Sequence, residues 1–140
     1  MLGLAGPAAD TRPFFRDTYD HAVQVIDTRE NRTIATIPVG DFPGYPAITS
    51  DGSFVYVPNQ FSDSVSVIAT ATNTVVATIP TSPMAAQAAV TPNGAFVYVS
   101  HLDNGVVSVI ATATNTVVAS VPKNTKQLMS APTANRIRPR

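Results

Sequence analysis

The residues able to do acid–base, nucleophilic or metal chemistry are few and scattered. The 140-residue chain has two histidines, His21 and His101, and no cysteine. Without cysteine there are no disulfide staples, thiolate zinc sites, iron–sulfur clusters or cysteine nucleophiles. The chain has neither a G-x-S-x-G nucleophile elbow nor a phosphate-cradling glycine loop. His101 ends an apolar run two positions before Asp103, and the sequence reads it as a surface histidine beside a loop. Asp41, Asp103 and His101 are the groups any hydrolytic chemistry would have to use. Ser62-Asp63-Ser64 and Leu102-Asp103-Asn104-Gly105 read as loops, the usual carriers of function, but no charges converge on them. Asn31-Arg32-Thr33 fits a glycosylation sequon and is read as coincidence. The expectation is therefore no catalytic residue, no cofactor-binding residue, no metal ligand and no cofactor.

Charge narrows the partners. Charged residues make up 13% of the chain and apolar residues 44%, which supports a packed core. Nine Lys and Arg balance nine Asp and Glu, arguing against nucleic-acid binding driven by bulk charge. The balance is uneven along the chain. No Lys or Arg occurs from Thr33 to Pro122, whereas residues 123–140 hold five bases and no acid. This basic tail reads as a solvated terminus. No apolar run reaches the roughly 18 residues a spanning helix needs. The opening residues 1–11 lack a positive start and read as an extension too short for an ordinary signal peptide.

The strongest pattern is an internal period of 42 residues. VSVIATATNTVVATIP at 65–80 recurs as VSVIATATNTVVASVP at 107–122, with 14 of 16 positions identical. Shifted back by the same step, VQVIDTRENRTIATIP at 23–38 keeps nine of 16. Phe54-Val55-Tyr56-Val57 aligns with Phe96-Val97-Tyr98-Val99, and Pro38, Pro80 and Pro122 keep the step. The histidines lie 80 apart, not two periods, so they do not share a repeat position. Asp51 recurs as Asn93, which points to a turn role rather than acid–base work. The repeats are assigned as 12–53 (degraded), 54–95 (full) and 96–122 (truncated), followed by the tail 123–140.

Each repeat reads as four short strands. Asp51-Gly52 and Asn93-Gly94 are hairpin signals, because glycine accepts positive φ. Ala47-Ile48-Thr49 precedes the turn and Phe54–Val57 follows it. Val65–Ala69 alternates with period two, Thr70–Asn73 is a polar turn, and Val75–Ile79 returns until Pro80 removes a donor. Tyr56 and Tyr98 are read as packing residues with a polar tip. Helical periodicity is absent, and Thr and Val dominate where a helix would favour Ala, Leu, Glu or Lys. Four antiparallel strands in about 40–45 residues are the mark of a propeller blade. The fold class is thus all-β: β-propeller blades, about three repeats, an incomplete ring.

The segments VYVPN (55–59), SVSVIATATNTVVATIP (64–80) and TPNGAFVYVS (91–100) resemble the YVTN family of β-propeller repeats over residues 20–122. Departures are visible. Pro58 and Ser100 replace the motif's Thr, and His101 takes the place of Asn59 in the next copy. Its Asp survives only as Asp27, and the Val-Gly after proline only as Val39-Gly40. The resemblance implies a binding or structural scaffold without enzymatic activity, placed in the cell envelope or outside the cell. The alternative it implies is a fragment of a propeller enzyme, lactonase-like or part of a dehydrogenase or reductase. Three blades cannot close a ring. The expected partner is accordingly an envelope protein or a further copy that completes the propeller.

Overall fold

The structure is a computed structural model that describes residues 2–3, 12–102 and 105–122. The basic tail and Asp103 lie outside the described residues. Among the described residues twelve strands form three four-stranded antiparallel sheets. Sheet 1 holds β1 (Leu2–Gly3), β2 (Phe14–Asp17), β3 (Ala22–Asp27) and β4 (Arg32–Pro38). Sheet 2 holds β5 (Ala47–Ile48), β6 (Phe54–Asn59), β7 (Ser64–Ala69) and β8 (Thr74–Pro80). Sheet 3 holds β9 (Ala85–Val90), β10 (Phe96–His101), β11 (Val106–Ala111) and β12 (Thr116–Pro122). Every sheet is wound in chain order and ends at one of the three prolines. The sheets thus divide the repeat after Pro38 and Pro80. β1 pairs with β2 from within the segment read as an extension. Among the described residues no helix is long and apolar enough to cross a membrane.

Local chemistry sets the turns. Gly52 and Gly94 adopt φ of 76° and 75°, the left-handed values those turns require. At the β3–β4, β7–β8 and β11–β12 turns the left-handed residue is Asn31, Asn73 or Asn115, at φ 53–54°. Asparagine tolerates this region better than most residues. In each case its amide N–H donates to the last strand carbonyl, Asp27, Ala69 or Ala111, at 2.7–2.8 Å. A bulge recurs in the β3–β4, β7–β8 and β11–β12 ladders, at Val25/Ile26, Val67/Ile68 and Val109/Ile110.

Packing is face to face with a fixed polarity. One face of sheet 1 (Phe14, Val23, Val25, Ile37) buries against Val55, Val57 and Ile68 of sheet 2. The opposite face of sheet 2 (Tyr56, Val65, Val67, Ile79) buries against Ala85, Ala88, Val97, Val99 and Ile110 of sheet 3. Shifting by 42 superposes one interface on the other. Fully buried Val, Ile or Phe side chains contribute roughly 1.5–3 kcal/mol each, so these junctions carry most of the stability. A lone sheet would expose both faces. The inner strands also touch: Tyr45 N–H donates to the Ala86 carbonyl at 2.9 Å and Ala88 N–H to the Tyr45 carbonyl at 3.1 Å. A Cβ on Gly44 would collide with the Ala86 carbonyl oxygen, so glycine is what lets the two backbones approach.

Candidate functional site

The antiparallel winding sorts the loops to two ends. One end carries the regular turns at 28–31, 49–53, 70–73, 91–95 and 112–115. The other carries the β2–β3 and β6–β7 turns, the described part of the β10–β11 turn, and the links between sheets at 39–46 and 81–84. Both histidines and Asp17, Asp20, Asp41 and Asp63 lie at this second end. It is the candidate functional end.

His21 occupies a left-handed turn position (φ 51°), equivalent to Asp63 and Gly105 in the next sheets. The structure brings His21 and Asp41 together, with Nδ1 4.0 Å from the carboxylate. The Phe42 N–H donates to the same Nδ1 at 3.0 Å. That nitrogen therefore carries a lone pair rather than a proton, and the imidazole and Asp41 do not form an ion pair in this geometry. Asp41 in turn has its amide fixed by Ser62 Oγ at 2.7 Å. The Asp17 carboxylate is held below its ordinary range, first by the Gln24 side-chain amide and then by the Asp20 backbone N–H.

The β6 and β10 strands end in buried polar residues. Asn59 is fully buried. Its Oδ1 accepts from Gly40 N–H at 3.1 Å, and its Nδ2 donates to Ser64 and Ser66 hydroxyls at 3.1 and 2.9 Å. A Cβ on Gly40 would stand 2.7 Å from the Asn59 side chain. In sheet 3 His101 fills the same position, and here the structure corrects the sequence reading. His101 is 0% exposed, because the strand end it occupies folds under the link from sheet 2. Its Nδ1–H donates to the Pro83 carbonyl at 2.9 Å, and Nε2 meets Ser108 Oγ at 2.8 Å. The Pro83 carbonyl can only accept, so Nδ1 carries the proton of that bond, and Nε2 shares the second bond with the Ser108 hydroxyl. His101 is a structural pin rather than a surface group. The alignment of Asn59 with His101 was visible in the repeat; their burial was not.

A groove of about 540 Å³ opens between sheets 1 and 2 at this end, with Gly40, Asn59, Asp63, Ser66, Val75 and Thr78 on its wall. Its lining is hydroxyl, amide and short apolar groups with one carboxylate. Arg16, which sequence reasoning passed over, lies with its guanidinium 3.9 Å from the Tyr45 ring centroid and 3.5 Å from the Pro43 carbonyl. Nothing in the repeat pattern announces it. Among the described residues no group of three or more His, Cys, Asp or Glu side chains could hold a metal ion. His101 and the His21–Asp41 pair belong to different sheets.

Three sheets, each wound outward from an inner strand and stacked face to face, define a β-propeller segment. The model of the family described as lactonase, 7-bladed beta-propeller, matches residues 25–134, and the chain belongs to that family. The match establishes a lactonase-type propeller and not YVTN repeats in particular. Its enzymatic relatives also overturn the expectation that this is a protein without enzymatic activity. The match favours the alternative drawn from the resemblance, a fragment of a lactonase-like propeller, over the reading as a scaffold without enzymatic relatives. Among solved structures the chain is similar to hydrazine synthase of Kuenenia stuttgartiensis, with 25% identity and a TM-score of 0.84. The match covers 88% of this chain and 35% of that one, so the chain spans about a third of that protein's length. No curated protein sequence matches it.

Proposed function

We propose that the chain supplies three consecutive blades of a lactonase-family ring, and that the end bearing His21, Asp41, Asn59 and His101 is its ligand-facing end. One observation carries this reading: both histidines, Asp17, Asp20, Asp41 and Asp63, the irregular links and the larger groove share one end, while the other, closed by regular asparagine and glycine turns, has Asp27, Glu30 and Asp51 and a smaller groove of about 250 Å³. The three blades act as scaffold and binding wall. Turnover of a lactone belongs to the completed ring, which needs blades beyond these three. The groove suits a neutral lactone better than an anion, since its wall is largely short apolar groups and its one charged group is the Asp63 carboxylate. The YVTN-like strand pattern and a place in the cell envelope belong to the same reading; the Thr-, Ser- and Ala-rich, charge-poor strands support them.

The test is titration of the chain with sugar-acid lactones, followed by amide chemical shifts. Shifts confined to Gly40, Asn59–Ser64 and the 81–84 link are expected. Shifts at the opposite turns, or none across the series, would overturn the assignment of the binding end.

A further inference from the structure

The turns of the candidate end carry large apolar side chains that the strand repeat does not require. Tyr19 in the β2–β3 turn is 94% exposed, Phe61 in the β6–β7 turn 59% and Leu102 in the β10–β11 turn 59%. Tyr19 and Phe61 share a repeat position, and Leu102 lies one residue earlier in its copy. Turns at the opposite end do without such groups: Thr70–Asn73 and Thr112–Asn115 are Thr, Ala and Asn alone. One scattered apolar residue on a surface means little, but one at the tip of each successive sheet marks a face that is covered in use.

The tips are fixed in place. Gln60 N–H donates to the Phe42 carbonyl and Leu102 N–H to the Met84 carbonyl, both at 3.0 Å and one period apart. Phe42 and Met84 each take a left-handed conformation, φ 55° and 62°, where the links turn beneath the tips. Phe61 N–H also bonds the Asp41 carbonyl at 3.1 Å, and its ring centroid lies 4.9 Å from that of Phe42. The β2–β3 turn is fastened by Asp20 N–H donating to the Asp17 carboxylate at 3.2 Å. A side chain carried on a pre-set turn has less freedom to lose on binding.

The same end is acidic. Among the described residues it has Asp17, Asp20, Asp41 and Asp63 against Arg16, whereas the opposite end balances Arg12, Arg29 and Arg32 with Asp27, Glu30 and Asp51. Asp20, Asp41 and Asp63 are exposed, and no Lys or Arg among the described residues forms an ion pair with them. The Arg16 guanidinium is turned onto the Tyr45 ring instead. Packed sheets stand about 10 Å apart, so three apolar tips with carboxylates between them span roughly 20 Å, the reach of about six extended residues.

We propose that this end docks a basic segment of a partner protein, its apolar side chains seated on Tyr19, Phe61 and Leu102 and its Lys or Arg beside Asp20, Asp41 and Asp63. Complementary charge selects this partner: the phosphates of a nucleic acid or an anionic bilayer would meet the carboxylates as like charges.

The test mixes the full chain with three hexapeptides, KKWLKK, SSWLSS and EEWLEE. The chain has no Trp, so fluorescence anisotropy of the peptide reports binding and amide shifts locate it. The expected order of affinity is KKWLKK, then SSWLSS, then EEWLEE, with shifts at 18–21, 60–63 and Leu102. Phe61→Ala and Leu102→Ala should each weaken KKWLKK at least about 5-fold, about 1 kcal/mol at 1.4 kcal/mol per tenfold. Asp20→Asn and Asp63→Asn should each weaken it about 1.4- to 5-fold, and by less at roughly 1 M salt. Circular dichroism confirms that each variant is folded. No binding of KKWLKK up to about 1 mM, equal binding of EEWLEE, indifference to all four variants, or shifts at the opposite turns alone overturns the proposal. So does uptake by phosphatidylcholine vesicles without peptide binding, which puts a membrane on this face. A doubled mass without peptide, with the same shifts, would put a second copy there. Peptide binding that appears only after the five bases of residues 123–140 are changed to Gln would show that the chain covers the face itself. Either result overturns the partner. Lactone and peptide are scored with separate probes, so the proposed function and this docking can each fail while the other stands.

Discussion

Phe14→Tyr should stabilise the chain. Phe14 is buried at 1% exposure in the face that sheet 1 presents to sheet 2, and it holds the position of Tyr56. The Asn73 Oδ1 that a hydroxyl there would meet is buried without a hydrogen bond. At the sister junction the same two positions are bonded at 2.6 Å. An unpaired buried acceptor costs about 1–3 kcal/mol and a formed bond nets about 0.5–1.5. A gain of about 1 kcal/mol is expected, or roughly 4 °C in Tm for a chain of this length. The reciprocal change, Tyr56→Phe, removes the donor and orphans Asn115. It should cost about 1–2 kcal/mol.

Urea unfolding of both variants and of Asn115→Ala, monitored by circular dichroism, supplies the numbers. The Tyr56→Phe/Asn115→Ala cycle should give a coupling of about 1 kcal/mol. If Phe14→Tyr proves neutral or destabilising while Tyr56→Phe is costly, the two junctions are not equivalent at this position. A hydroxyl forced into a filled space would itself cost roughly 1–3 kcal/mol, so the sign of the change is decisive. A second reading comes from alkaline pH. Burial raises the Tyr56 phenol above its ordinary 10.0, so the folded state favours the neutral form. That contribution is complete below about pH 10 and is lost as pH climbs beyond it; Tyr56→Phe removes this dependence.

Gly44→Ala should cost at least about 1–3 kcal/mol in the same unfolding assay, because its Cβ meets the Ala86 carbonyl; Gly105→Ala, with nothing within 4 Å, carries only the strain of its positive φ and should cost less. Asn59→Ala strips partners from Gly40 N–H and two serine hydroxyls and should lower stability by about 2–3 kcal/mol, whereas loss of under 0.5 would show that water replaces the amide. The Ser53 backbone N–H, and then the Thr49 hydroxyl, hold the Asp51 carboxyl below its ordinary 3.8. Its contribution is present above that value and fades as pH falls through the lowered one. Asp51→Asn, the residue sheet 3 uses as Asn93 with the same two bonds, should keep the fold at neutral pH and flatten this part of the acid limb of a pH–stability curve.

The sequence exposed the strands, the turns and the period because each depends on nearest neighbours. Gly52, Gly94, Asn73 and the closing prolines act within a few residues of themselves, and the structure puts each where the pattern asks. What the pattern could not convey was depth. His101 reads as a loop histidine in one dimension. It is buried because the link carrying Pro83 folds over the strand end, a contact 18 residues away in sequence. The His21–Asp41 approach and the Arg16–Tyr45 stack likewise join different elements. The lactonase-like alternative came from the resemblance of the strand repeats and not from a catalytic motif, because the repeated residues are those that build strands and turns.

Near-identity of repeats creates a problem of register that the polar residues solve. Over strands 65–80 and 107–122 the apolar faces of sheets 2 and 3 are almost interchangeable, so hydrophobic packing, which is non-directional, cannot by itself say which sheet follows which. Each link between sheets is instead pinned by a polar residue of the sheet it leads into, and one bond crosses from sheet 2 to sheet 3. On the link into sheet 2 the pin is Asn59, whose carbonyl oxygen takes the Gly40 N–H and whose amide satisfies two serines of its own sheet. On the link into sheet 3 it is His101, whose ring donates to the Pro83 carbonyl. Tyr56 adds the bond to Asn115 at the far end of the strands. A slipped pairing of sheets 2 and 3 would keep much of the apolar contact but part Tyr56 from Asn115, at about 1–3 kcal/mol, whereas the Asn59 and His101 bonds, made to serines of their own sheet and to the link leading into it, would move with their sheet.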